Sequence, residues 1–165
     1  MTTAVLMSIL VFTWLGVVGA CIGSFLNVVI YRLPAGKSIV SPPSSCPKCA
    51  KQIRSYHNLP VLGWLVLRGR CYDCKTPISA RYPLVELLVG GAFFVLGLSI
   101  FSQSDGPPQS LFEYQLWAAF VGLAGLFSCL LAALLIRYDG HRIPRGIWLA
   151  TALFAATLVA SVWIP

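Results

Sequence analysis

The hydrophobic positions of this chain fall in four long runs separated by polar segments. The first, Met1 to Tyr31, contains no charged residue. Tyr82 to Phe101 is apolar apart from Glu86, Tyr114 to Ile136 is uncharged over 23 residues, and Gly146 to Pro165 over 20. About 20 apolar residues carry a helix across the bilayer core. The pattern predicts four membrane-spanning helices, near residues 5–31, 83–101, 114–136 and 146–164. The first run lacks a basic start and exceeds the apolar core of a signal peptide, so it reads as a retained helix. A shorter apolar run, Asn58 to Arg68, cannot cross. It is expected to pack on the segment around it or to lie at the membrane interface with Trp64 as an anchor.

Composition agrees with the spans. The chain is 58% hydrophobic and 10% charged, with mean hydropathy +0.81, against about 25% charged residues in ordinary soluble domains. Its net charge of +7 raises nucleic acid as a partner, and the placement of the charges argues against it. Nine basic residues lie between the first two spans (Arg32, Lys37, Lys48, Lys51, Arg54, Arg68, Arg70, Lys75, Arg81), and three between the last two (Arg137, Arg142, Arg145). With four spans these segments share one side, which the positive-inside rule makes the cytoplasm. The N-terminus, the 102–113 loop with Asp105 and Glu113, and the C-terminus then face outward. The expected fold is an all-α polytopic membrane protein with no nucleic-acid role. Its parts are a first helix over 1–31, a cytoplasmic loop over 32–82 and three further spans over 83–165.

The loop carries two Cys-x-x-Cys pairs, Cys46/Cys49 and Cys71/Cys74, with 21 residues between them. This spacing fits a zinc ribbon with four cysteine ligands. Two disulfides or four reduced thiols are the alternatives, and a reducing cytoplasm disfavours disulfides. Four thiolate ligands leave a zinc ion no open position, so the expected metal is structural. Lys48, Lys51, Arg70 and Lys75 would offset the negative charge of such a centre. Cys21 and Cys129 read as small buried residues of the spans, and His57 as a surface or packing residue. Gly19-x-x-x-Gly23 allows close approach of a second helix, within this chain's own bundle or in a dimer. Asn27 is expected to hydrogen-bond a neighbouring helix or the loop.

These residues carry a resemblance. Gly23-Ser-Phe-Leu-Asn-Val-Val-Ile-Tyr-Arg-Leu-Pro34, the two Cys pairs, Asn58-Leu-Pro60, Trp64-Leu-Val-Leu-Arg-Gly-Arg-Cys71 and Ile78-Ser-Ala-Arg-Tyr-Pro-Leu-Val-Glu-Leu-Leu88 resemble the N-terminal part of bacterial type IV prepilin peptidases. The likeness is dense from about 19 to 97 and thins after 110. It implies an inner-membrane, multi-pass protein with a periplasmic N-terminus. The implied substrates are prepilins or the pseudopilins of type II secretion. The implied chemistry is aspartic-type leader cleavage, joined in many members by N-methylation from S-adenosylmethionine.

The family's catalysis uses two intramembrane aspartates, one as a base and one as an acid. The first lies in a run like Ile-Asp-x-Asp-x-x-x-x-Pro, and this chain has Ile136-Arg-Tyr-Asp-Gly-His-Arg-Ile-Pro144. Arg137 stands at the catalytic position and cannot act as a base. Asp139 matches the second acid of the run and is the one catalytic candidate the chain offers. The Gly-x-Gly-Asp motif of the second aspartate does not occur in these residues. Full-length members carry further spans, so the resemblance describes a truncated homologue. The expected role, without proteolysis by this chain alone, is prepilin binding, assembly scaffolding, or partnering a second membrane chain that supplies the missing aspartates. An active peptidase or a methyltransferase is the alternative. Asp139 otherwise reads as a loop acid among Arg137, His141, Arg142 and Arg145. Glu86 and Gly90 fall where the resemblance puts methyl transfer, and Glu86 equally suits a pair with Arg81 or a cap on the first helical turn.

Overall fold

The computed structural model of the chain describes residues 2–101 and 111–163. Among them the long elements are all α-helical: α1 (Thr2–Arg32), α3 (Arg81–Phe101), α4 (Leu111–Tyr138) and α5 (Arg145–Trp163). Each is long and apolar enough to cross a membrane, which makes this a multi-pass membrane protein. The helix α2 (Leu62–Val66) and a 3-10 turn at Ser55–His57 lie in the loop between α1 and α3. The helix α4 already begins at Leu111, so the expected outward loop ends before Glu113. Asp105 lies outside the described residues.

The spans pair as two antiparallel hairpins, α1 on α3 and α4 on α5. Small residues set the first pairing. A Cβ on Gly23 would stand 2.8 Å from Glu86 Cα, and one on Gly19 2.9 Å from the Val89 carbonyl oxygen. From the other side, a Cβ on Gly90 would stand 2.9 Å from the Gly16 carbonyl oxygen. Asn27 closes the seam by donating from Nδ2 to the Tyr82 carbonyl at 3.1 Å. The Gly19-x-x-x-Gly23 face is thus spent inside the chain's own bundle, as close helix packing in membranes requires. In the second hairpin Gly122 meets Leu158 and Gly125 meets Phe154.

The core lies where α1, α3 and α4 converge, around fully buried Val89, Ala132 and Ile136. Phe93 and Phe120 join α3 to α4 edge-to-face, with centroids 5.7 Å apart. The helix α5 buries little beyond Ile147. Cys129 is buried as expected, whereas Cys21 is exposed on α1. A helix whose neighbours cover one side turns its remaining residues to lipid, and a thiol is apolar enough to sit there.

Candidate metal centre and the carboxylates beside it

Each Cys pair is built the same way. The Cys46 N–H donates to the Lys51 carbonyl at 2.9 Å, and the Cys71 N–H to the Thr76 carbonyl at 2.8 Å. The Ala50 N–H returns to the Cys46 carbonyl and the Lys75 N–H to the Cys71 carbonyl, at 2.9 and 3.0 Å. Isolated antiparallel bridges, Ser45 with Gln52 and Arg70 with Pro77, close the two turns. The residue after each second cysteine is left-handed, Ala50 and Lys75 both at φ 57°. Each turn therefore aims two sulfurs the same way. This duplicated knuckle is a local repeat that residue identities outside the cysteines do not reveal.

The two knuckles face each other. The four Sγ atoms of Cys46, Cys49, Cys71 and Cys74 lie within 4.8 Å of one another, and Cys46 and Cys74 are 3.7 Å apart. Four ligands about 2.3 Å from a tetrahedral ion stand about 3.8 Å from each other. The cluster can therefore hold a metal ion with little movement. The backbone N–H groups of Cys49 and Lys48 lower the Cys46 pKa to about 6. The Cys49 thiol is drawn down by the Lys51 N–H, but burial and the crowding of Cys74, Cys46 and Cys71 push it up to about 11. One thiolate is thus stabilised by the fold itself. A second proton is hard to remove without a cation at the centre. Lys51 also ties the knuckles together through Asp73 at 3.1 Å.

Three contacts fix the loop, two of them to the helices. Arg32, the last residue of α1, donates to the Ser38 carbonyl at 3.2 Å. Trp64 Nε1 donates to the Ile78 carbonyl at 3.0 Å, and a Cβ on Gly69 would stand 2.7 Å from the Trp64 ring. Trp64 is therefore packed within the loop. Third, Glu86 is buried in α3 and its Oε2 accepts the Val61 N–H at 2.7 Å. Glu86 pairs with neither Arg81 nor its own helix start. A buried carboxylate takes the donor that desolvation leaves unmatched, and the Val61 N–H at the start of α2 is such a donor. Gly90 lies against Gly16 and Ala20. His57 lies between the Tyr56 and Tyr72 rings, 4.4 and 4.9 Å away, as a packing residue.

The ion-pair partner of Asp139 is none of its sequence neighbours Arg137, Arg142 and Arg145. Asp139 takes both arms of Arg81, Nη1 to Oδ1 at 2.6 Å and Nη2 to Oδ2 at 2.8 Å. The α4 end explains this. Gly140 (φ 78°) closes a Schellman turn in which the His141 N–H reaches the Ile136 carbonyl. The turn carries Asp139 back over the start of α3. Arg81 holds the Asp139 carboxyl below the usual range. The pair borders a cavity of about 200 Å³ with Asn27, Tyr31, Ser79 and Tyr82. Arg137 is exposed in the last turn of α4. Nothing in the sequence linked Arg81 to Asp139, which lie 58 residues apart. The signal for Glu86 was legible, since an acid inside an apolar run needs a partner.

The comparisons with known proteins bear on the same segments. The family model described as "Bacterial Peptidase A24 N-terminal domain" matches residues 17–100. A prepilin leader peptidase/N-methyltransferase of Myxococcus xanthus is 58% identical over 81 residues, covering 49% of this chain and 24% of the relative. One from Burkholderia pseudomallei is 35% identical, covering 76% of this chain and 56% of the relative. A type 4 prepilin-like leader peptide-processing enzyme of Escherichia coli is 38% identical, covering 84% and 54%. The chain thus spans about half or less of the length of these relatives. No solved structure matches it.

Proposed function

This chain belongs to the bacterial prepilin peptidase family, and we propose that it engages prepilins or pseudopilins without cutting them by itself. The observation that carries the proposal is the state of Asp139. A general base must hold a free lone pair within reach of water. Each oxygen of Asp139 accepts from Arg81, and the ion pair holds the carboxyl pKa down, so the lone pairs that remain are poor bases. Arg137 occupies the position where the resemblance calls for the first catalytic aspartate, and a guanidinium stays protonated at working pH. Proteolysis then needs aspartates that residues 1–165 do not supply.

The four-cysteine centre in this reading is a closed structural zinc site that folds the loop and presents it beside the cavity at Asp139. The loop lies in the cytoplasm and the N-terminus in the periplasm of a bacterial inner membrane, with the nine cations from Arg32 to Arg81 setting that orientation. Domain boundaries follow at 1–31, 32–82 and 83–165. The relatives' names also include N-methyl transfer. Here Glu86 is spent on the Val61 N–H and Gly90 on helix packing. We assign both to structure and not to S-adenosylmethionine.

The test is retention of a synthetic prepilin N-terminal peptide, basic leader plus first apolar residues, by the purified full chain in micelles. Retention above that of a scrambled peptide, with the peptide recovered intact, is expected. Equal retention of the two peptides overturns the binding role.

A further inference from the structure

The loop carries a second site, apart from the cavity at Asp139 and sharing only Cys71 with the metal centre. Leu62, Leu65 and Val66 of α2 are 60, 55 and 75% exposed, and their i, i+3, i+4 spacing puts them on one face. Their depth is set by Glu86. That residue lies five positions into α3, about 7.5 Å along its axis at 1.5 Å per residue, and it holds the Val61 N–H. The start of α2 is therefore held level with the first turns of a membrane span. Aliphatic side chains exposed at that level meet the boundary of headgroups and acyl chains.

Beside this face opens a cavity of about 690 Å³, and Val66 belongs to both. Arg68, Arg70 and Lys75 line the cavity with Tyr72. Arg54 stacks over the Tyr72 ring at 4.1 Å, and Lys75 lies over it at 5.2 Å. Among the described residues no carboxylate pairs with these cations. Asp73, the only acid in residues 33–80, is paired with Lys51. A zinc ion on four thiolates would carry two net negative charges and would leave the loop positive. The cavity thus joins a cationic wall, still in excess over the charge of such a centre, to an apolar lip at leaflet depth.

We propose that this cavity binds the headgroup phosphate of an anionic phospholipid. Arg68, Arg70 and Lys75 hold the phosphate, while Leu62, Leu65 and Val66 enter the acyl boundary of the same leaflet. Charge complementarity selects the anion, and the lip selects a lipid over a soluble phosphate. The inference needs the four spans but not the pilin reading, so either can fail alone.

The test uses the full chain reconstituted in phosphatidylcholine vesicles with a trace of photoactivatable phosphatidylglycerol or photoactivatable phosphatidylcholine, followed by peptide mapping of adducts. Phosphatidylglycerol adducts should concentrate in residues 57–75, and phosphatidylcholine adducts there should be fewer by at least about ten-fold. Each cation removed should cost about five-fold, so the triple variant Arg68→Gln, Arg70→Gln, Lys75→Gln should lose the preference, with its metal content showing that the loop remains folded. The wild-type comparison of the two lipids stands without that variant. Equal labelling by the two lipids, or none in 57–75, overturns the proposal. So does loss of labelling with millimolar inorganic phosphate, which would assign the cavity to a soluble anion.

Discussion

At the residue scale, two carboxylates in an apolar chain have opposite surroundings. Asp139 is part-exposed and doubly bound by Arg81, while Glu86 is buried on a backbone donor. Removing the Arg81–Asp139 pair should be mild, because part-exposed ion pairs contribute about 1 kcal/mol or less. A double-mutant cycle of Arg81→Gln and Asp139→Asn should return a coupling of that size in thermal melts. The pH dependence has a definite sign. The folded state holds the Asp139 pKa below its usual 3.8. Its contribution is complete above about pH 4 and is lost as pH falls through the lowered value. The melting difference between wild type and Asp139→Asn should stay constant above that range and vanish below it. Glu86→Leu should cost more, about 1–3 kcal/mol, because it strands the Val61 N–H. The readout is faster proteolysis of the loop with the spans intact. The need for a partner at Glu86 was legible in the sequence. The identity of that partner was not, because it is a main-chain group just before a five-residue helix with no periodic signal of its own.

At the element scale, the four spans were legible almost to their ends, since length and lack of charge are properties of the residues alone. The pairing of α1 with α3 was foreshadowed by Gly19 and Gly23, and the three-dimensional register adds Gly90. Gly23→Val would drive side-chain atoms into the α3 backbone. The expected cost is about 1–3 kcal/mol, read as a lower midpoint in denaturant unfolding from micelles. The knuckles were legible through the cysteine spacing alone. The left-handed turns at Ala50 and Lys75 were not, because neither residue type favours that conformation. If the four thiols hold zinc, the purified chain should carry one ion. Chelation should then make Cys46, Cys49, Cys71 and Cys74 reactive to a thiol reagent together. Four thiols already reactive in the untreated, metal-supplemented protein would contradict a metal centre.

At the scale of the whole molecule, a four-cysteine loop is bonded to one end of a helical hairpin, and the second hairpin is joined to the first through the α3–α4 core and the Arg81–Asp139 pair. The family was legible from the dense motifs between about 19 and 97, close to the 17–100 covered by the family model. The commitment of Asp139 to a distant arginine was not, and it decides the reading of this chain's chemistry. The most direct measurement is mass analysis of prepilin N-termini in membranes that contain this chain as the sole family member, beside the Asp139→Asn variant. The account predicts uncleaved leader with both proteins. Cleavage by the wild type that disappears in Asp139→Asn would make Asp139 a catalytic group and contradict the account.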